Sequence, residues 1–185
     1  MGTTAAAISA SNRFWLSLDI GIGGLDHLAV QFLNKWGCEV TAFTSSDAKR
    51  DEALAMGAHR VVNSRDAAQL EKIAGSLHFI LSTVNVDLNW SAFLNALAPR
   101  GRFHTVGVIP SPIPAVAFSL IGSQKSLSGS PLGSPATIRK MLEFCARHRI
   151  APITEHYPMS RVNEAMAHLE SGKARYRVVL ENDFA

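Results

Sequence analysis

The chain has 185 residues, 47% hydrophobic and 18% charged, with a formal net charge of +3 and a pI near 9.1. That length supports one domain with a sizeable core, or one domain plus a fragment of another. The basic residues are scattered, which argues against a nucleic-acid face, and no apolar run is long enough to span a membrane.

Two cysteines, Cys38 and Cys145, make neither a disulfide framework nor a zinc cluster, and they suit a reducing cytoplasm. The opening "MGTTAAAISASNRFW" lacks the basic start and long apolar run of a secretory leader, so residues 1–14 read as a loose tail.

From there apolar runs alternate with helix-period segments. "WLSLDI" (15–20) predicts a first strand, interrupted by Asp19. "GLDHLAVQFLNKWG" places Leu25, Leu28, Ala29, Phe32 and Leu33 at helical spacing and stops at Gly37. "EVTAF" is a second strand, and "SDAKRDEALAMGA" a helix with a Ser/Asp start, capped by Asp47, ending at Gly57. "RVVN" and "DAAQLEKIAG" repeat the pair.

"HFILSTV" reads as a fourth strand buried on both faces, and "DLNWSAFLNALAPRG" as a helix stopped by Pro99 and Gly101. "RFHTVGV" is a fifth strand, "PSPIPAVAF" a proline-rich connection and "KSLSGS" a sixth strand. After Ser134 the pattern changes to helix, short strand, helix, strand. The apolar face of that first helix (Ile138, Met141, Leu142, Cys145) is expected to be exposed or re-docked.

Alternation at this period predicts right-handed crossovers and a doubly wound parallel sheet, α/β in class, with a small C-terminal α+β segment. Residues 15–134 form the main domain and 135–185 part of another unit. Ligands of such sheets bind beyond the carboxyl ends of the strands. The loops starting at Gly21, Thr44, Thr83 and Gly107 should therefore surround one crevice.

In "DIGIGGLDHLAV", Gly21, Gly23 and Asp26 take the three places of G-x-G-x-x-G, between a strand and a helix. The first glycine permits a tight turn. The second lets the backbone approach a dinucleotide's pyrophosphate, and the third lets helix pack on strand. The free N–H groups of the helix start face the phosphates, with Gly24 and Leu25 as the expected donors. Asp26 puts a carboxylate where the third glycine belongs. Pointing inward it competes for those N–H groups and repels phosphate, weakening affinity roughly ten- to a hundredfold. Pointing outward it costs only packing.

An NAD site usually ends its second strand in an acid that bonds the ribose 2′-OH. Here Thr44 stands at that place, followed by Ser45, Ser46 and Lys49, and hydroxyls with a cation suit the 2′-phosphate of NADP better than NAD.

"GIGGLDHLAVQF", "TSSDAKRDEALAMGA", "LAPRGRFHTVG", "SLSGSPLGS" and "VNEAMAHLESGKARYRVV" together resemble the zinc-containing alcohol dehydrogenases of the medium-chain dehydrogenase/reductase superfamily, in their cinnamyl-alcohol-dehydrogenase-like, NADP-preferring branch. The likeness covers about residues 20–182 and implies a Rossmann cofactor domain. It also implies a separate zinc-bearing, GroES-like catalytic domain, completed by the returning chain end. Such enzymes pass a hydride between nicotinamide and an alcohol or aldehyde, zinc polarising the substrate oxygen.

Carried over, the resemblance gives Gly21, Gly23, Gly24 and Leu25 to the pyrophosphate, and Thr44, Ser45, Ser46 and Lys49 to the 2′-phosphate. It gives Thr83 and Val84 to the cofactor's border, and Gly107 and Ser130 to the nicotinamide end. It also implies a homodimer through the sixth-strand edge.

The zinc-binding half has no counterpart in this sequence. Zinc is expected for the family, yet two distant cysteines and seven histidines form no recognisable ligand set. His27 and His104 read as packing or local hydrogen-bonding residues and Glu164 as solvated, so no catalytic residue is assigned. The leading expectation is the NADP(H)-binding portion of such an enzyme, truncated and inactive alone. The alternatives are a non-enzymatic nucleotide-binding or dimerisation module, and a zinc-independent reductase. The last needs a proton donor near Gly107 and Ser130 that the sequence does not offer.

Overall fold

A computed structural model describes residues 23–184. The first predicted strand, residues 15–20, and Gly21 lie outside them. Helix α1 (Asp26–Lys35) ends with Gly37 at φ +80°, the left-handed conformation that stops a helix and favours glycine. Strand β1 (Thr41–Thr44) is buried throughout. A 3-10 turn (Asp47–Lys49) then leads into α2 (Arg50–Ala55) and β2 (Arg60–Asn63). The Ser46 hydroxyl caps that turn by accepting the Ala48 N–H at 3.3 Å. The predicted Asp47 cap is thereby corrected: the residue one position earlier has the extended backbone that a cap needs.

Helix α3 (Ala67–Lys72) is capped by Asp66, which accepts from the Ala68 and Gln69 amides at 2.9 and 3.2 Å. Strand β3 (Leu77–Ser82), α4 (Trp90–Ala96), β4 (Leu97–Thr105), α5 (Ala117–Ile121) and β5 (Ser126–Gly129) follow. Most element ends shift by a few residues from expectation, and two differences are larger. Strand β4 begins at Leu97, taking in Pro99 and Gly101, because its ladder with β3 is irregular between Leu77 and Phe79; such an irregularity tolerates proline. The proline-rich connection holds the short helix α5, which its prolines precede and therefore do not break.

The chain ends with α6 (Pro135–His148), β6 (Thr154–Pro158), a 3-10 turn (Met159–Arg161), α7 (Val162–Glu170) and β7 (Arg177–Glu181). Every ladder among the described residues is parallel: β1 with β2, β4 between β3 and β5, and β6 with β7.

Neighbouring residues of each strand face opposite ways, and both sides are apolar. Ala42, Val61 and Phe79 pack with Val30 and Leu33 of α1 in one core cluster. Phe43, Val62 and Ile80 pack with Trp90, Phe93 and Leu94 of α4 in the other. Helices thus cover both faces of the sheet, as a continuous apolar strand demands. Strands β1 and β3 share no ladder among the described residues, but their side chains meet in both clusters.

The C-terminal segment is joined to this core at several points. Tyr176 belongs to the α1 cluster. Phe144 of α6 stacks on Phe32 at 5.9 Å and meets Trp36 at 5.5 Å. The face of α6 is therefore partly re-docked, while Ile138 and Leu142 remain exposed.

Candidate functional site

Beyond the carboxyl ends of β3 and β4 opens a crevice of about 570 Å³. Gly23, Gly24, Leu25 and Asp26 approach it from the start of α1, Thr83 and Val84 from the end of β3, and Gly107 from the end of β4. Gly107 is required by close approach. A Cβ there would lie 2.0 Å from the Val84 carbonyl oxygen and 2.6 Å from the Thr83 carbonyl carbon, well inside van der Waals contact. The Val106 and Gly107 amides both donate to the Ser82 carbonyl, at 2.9 and 3.3 Å, holding the two loops together.

Asp26 points inward. It is only 5% exposed, its Oδ2 accepts the Gly23 N–H at 3.1 Å, and its Oδ1 accepts the Thr83 hydroxyl. Of the two orientations left open by the sequence, the structure takes the inward one, with Asp26 holding the Gly23 amide, which precedes the expected donors Gly24 and Leu25.

His27, the next residue, is fully buried. Its Nε2 accepts the Ile153 N–H at 3.2 Å, so the ring proton sits on Nδ1, which donates to the Gly23 carbonyl at 3.1 Å. Burial, and then the Arg177 charge, hold its pKa below the ordinary histidine value.

Arg177 is the residue that sequence reasoning missed. It lines the same crevice, and a Cβ on Gly24 would lie 3.0 Å from its Nε. The "RYRVV" motif contains it, but nothing local to that motif ties it to a loop at the other end of the chain.

The 2′-phosphate candidates lie outside the crevice lining. Thr44 is fully buried, and its hydroxyl donates to the Ser46 carbonyl at 2.9 Å while accepting the Ser46 N–H at 3.1 Å. Both bonds shape the loop that follows β1. Ser45 is half-buried and Ser46 exposed. The Lys49 ammonium has its pKa lowered, first by burial and then by Arg175, while Glu52 and Asp26 act to raise it. Lys49 therefore lies within the field of Asp26.

Ser130 sits with Thr83 on the wall of a second, apolar cavity of about 400 Å³ between α1 and α6. Its hydroxyl is bonded to His104 Nε2 at 2.9 Å, and His104 Nδ1 meets the Ser128 hydroxyl at 2.9 Å. His104 is depressed in pKa, first by burial and then by Arg102, and the two serines occupy both of its ring nitrogens. Burial pushes the Cys38 thiol up to about 11 and raises Cys145 as well, so neither is a ready thiolate. Glu164 pairs with Arg161 on the surface. Among the described residues no group of three or more His, Cys, Asp or Glu could hold a metal ion, and no helix is long and apolar enough to cross a membrane.

A parallel sheet with a glycine turn at a helix start and a crevice past the strand ends is the architecture of a Rossmann-type nucleotide-binding domain. Residues 24–147 match the zinc-binding dehydrogenase family, and the chain belongs to it. It is similar to the aldehyde reductase AdhA of Synechocystis sp., 53% identical over 163 residues, which cover 88% of this chain and 48% of that protein. A solved cinnamyl alcohol dehydrogenase of Sorghum bicolor superposes with a TM-score of 0.86 at 35% identity, over 97% of this chain and 50% of that one. A Helicobacter pylori cinnamyl alcohol dehydrogenase complexed with NADP(H) superposes with a TM-score of 0.79; at 24% identity, over 97% of this chain and 51% of that one, it shares the fold. The chain spans about half the length of the relatives it matches.

Proposed function

We propose that the chain is the NADP(H)-binding portion of a zinc-type alcohol dehydrogenase or aldehyde reductase, binding the dinucleotide weakly and turning over no substrate by itself. The observation that carries this reading is the convergence of Gly23, Gly24, Thr83, Val84, Gly107 and Arg177 on one crevice. Backbone donors and a guanidinium recognise phosphate there, and the lack of a side chain at Gly107 lets the ends of β3 and β4 approach closely beside it. Bound nicotinamide supplies the hydride. This chain's residues hold and orient the coenzyme, and zinc finds no fit among the described ones.

The preference for NADP over NAD rests on Thr44 at the end of β1, where an acid would select NAD, and on Ser45, Ser46 and Lys49 after it. Alcohols and aldehydes as the substrate class follow from the relatives, an aldehyde reductase and a cinnamyl alcohol dehydrogenase. The proposal extends to residues 15–134 as the dinucleotide-binding domain, 135–185 as the segment completing a catalytic domain, and a cytoplasmic location suited to two free thiols.

Titration with NADPH, followed by its fluorescence, tests binding. Saturation below about 1 mM supports it, and no change up to that level overturns it. Aldehyde reduction by the isolated chain would overturn the claim of inactivity. One observation favours a second reading, a non-enzymatic nucleotide-binding or dimerisation module: the Asp26 carboxylate already holds the Gly23 amide.

A further inference from the structure

The crevice already contains an anion. The buried Asp26 carboxylate holds a glycine-loop amide at 3.1 Å and the Thr83 hydroxyl. The Arg177 guanidinium lies against Gly24. A backbone N–H at a helix start, a hydroxyl and a nearby cation are what a phosphate seeks in a glycine loop. A carboxylate taken out of water seeks the same partners. With glycine at position 26 there would be no side chain to take them.

We propose that Asp26 is a specificity-determining residue: the chain's own carboxylate stands in for the dinucleotide's pyrophosphate and must be displaced, or tolerated as a like charge, when a dinucleotide binds. This rests on the dinucleotide reading above. Ligands that place no phosphate at the glycine loop escape the penalty. The site therefore discriminates against pyrophosphate-bearing ligands relative to nucleotides phosphorylated only at the far ribose.

The test compares the parent chain with Asp26→Asn, which removes the charge at nearly constant shape, and Asp26→Gly, which removes the side chain. Two ligands are titrated, NADPH and adenosine 2′-phosphate; the latter lacks any 5′ phosphate. Asp26→Asn should tighten NADPH about tenfold and Asp26→Gly roughly ten- to a hundredfold. Adenosine 2′-phosphate should stay within about twofold in all three.

Unchanged NADPH affinity overturns the inference, as does equal tightening of both ligands. If both variants lose their circular dichroism, Asp26 is a structural residue and the inference falls. If all three chains fold and none binds either ligand, the dinucleotide reading itself has failed.

Discussion

The imidazole of His27 lies flat against the phenol of Tyr176, with centroids 4.7 Å apart and planes at 14°. Both rings are buried. His27 opens α1 beside the glycine loop, and Tyr176 immediately precedes β7. With the Ile153 N–H donated to Nε2 across 126 positions of sequence, the stack fastens the loop to the C-terminal segment. Arg177, next to Tyr176, is thereby delivered to the crevice.

Acidification should loosen this fastening. Burial lowers the pKa of His27 and His104 in the folded chain below the ordinary value of 6.5. The unfolded state therefore takes up protons first, as pH falls through about 6.5, and stability drops until the folded-state values are reached. Each histidine contributes at most about 1.4 kcal/mol per pH unit. Thermal unfolding should show a lower Tm at pH 5 than at pH 7.5, with a shallower slope in His104→Gln. An identical slope in that variant would remove His104 from the account.

Gly107→Ala should damage both fold and site. The added methyl has no room beside the Val84 carbonyl, so the ends of β3 and β4 must part. Overpacking of this kind costs about 1–3 kcal/mol. A lowered urea midpoint and lost NADPH binding are expected, and a parent-like midpoint would contradict the tight approach.

The two cations should separate by cofactor. Lys49→Ala is expected to weaken NADPH roughly fivefold or more while leaving NADH within about twofold. Arg177→Gln, acting at the glycine loop, should weaken both by similar factors. Parallel titrations read the difference, and an equal loss for both coenzymes in Lys49→Ala would end its assignment to the 2′-phosphate.

Dimerisation through the edge of β5 is a prediction of its own. Among the described residues β5 pairs only with β4, and beside it Phe118 is 78% and Ile121 72% exposed. Exposed apolar patches of this kind favour association. Light scattering after size exclusion should report twice the chain mass, and Phe118→Asp should return the monomer. A parent chain that elutes as a monomer at tens of micromolar would rule this edge out.

Much of the architecture could be read from local pattern. Continuous apolar runs such as that around Phe79 and Ile80 marked doubly covered strands, and Gly37 marked a helix end, because each reports its own backbone or burial. The start of β4 could not be read that way, since pairing with β3 overrides what Pro99 and Gly101 suggest locally. The glycine loop and the β3 and β4 ends were legible as parts of one crevice from the strand–helix alternation. The inward turn of Asp26 depends on Thr83, 57 positions away, and the placing of Arg177 depends on the His27–Tyr176 stack. The bonds between Thr44 and Ser46 were equally out of reach, since a sequence names a hydroxyl without naming its partner.

The uniformly parallel ladders carry a kinetic consequence. None of the four described pairings can be closed by a hairpin, so each must wait for an intervening stretch that includes a helix to collapse back onto the sheet. Thr41 finds Arg60, and Phe103 finds Leu127, only after such a detour. Chains dominated by contacts of this kind reach the native state slowly and leave strand edges open on the way. Rapid refolding from urea at high concentration should therefore yield more aggregate than slow dilution.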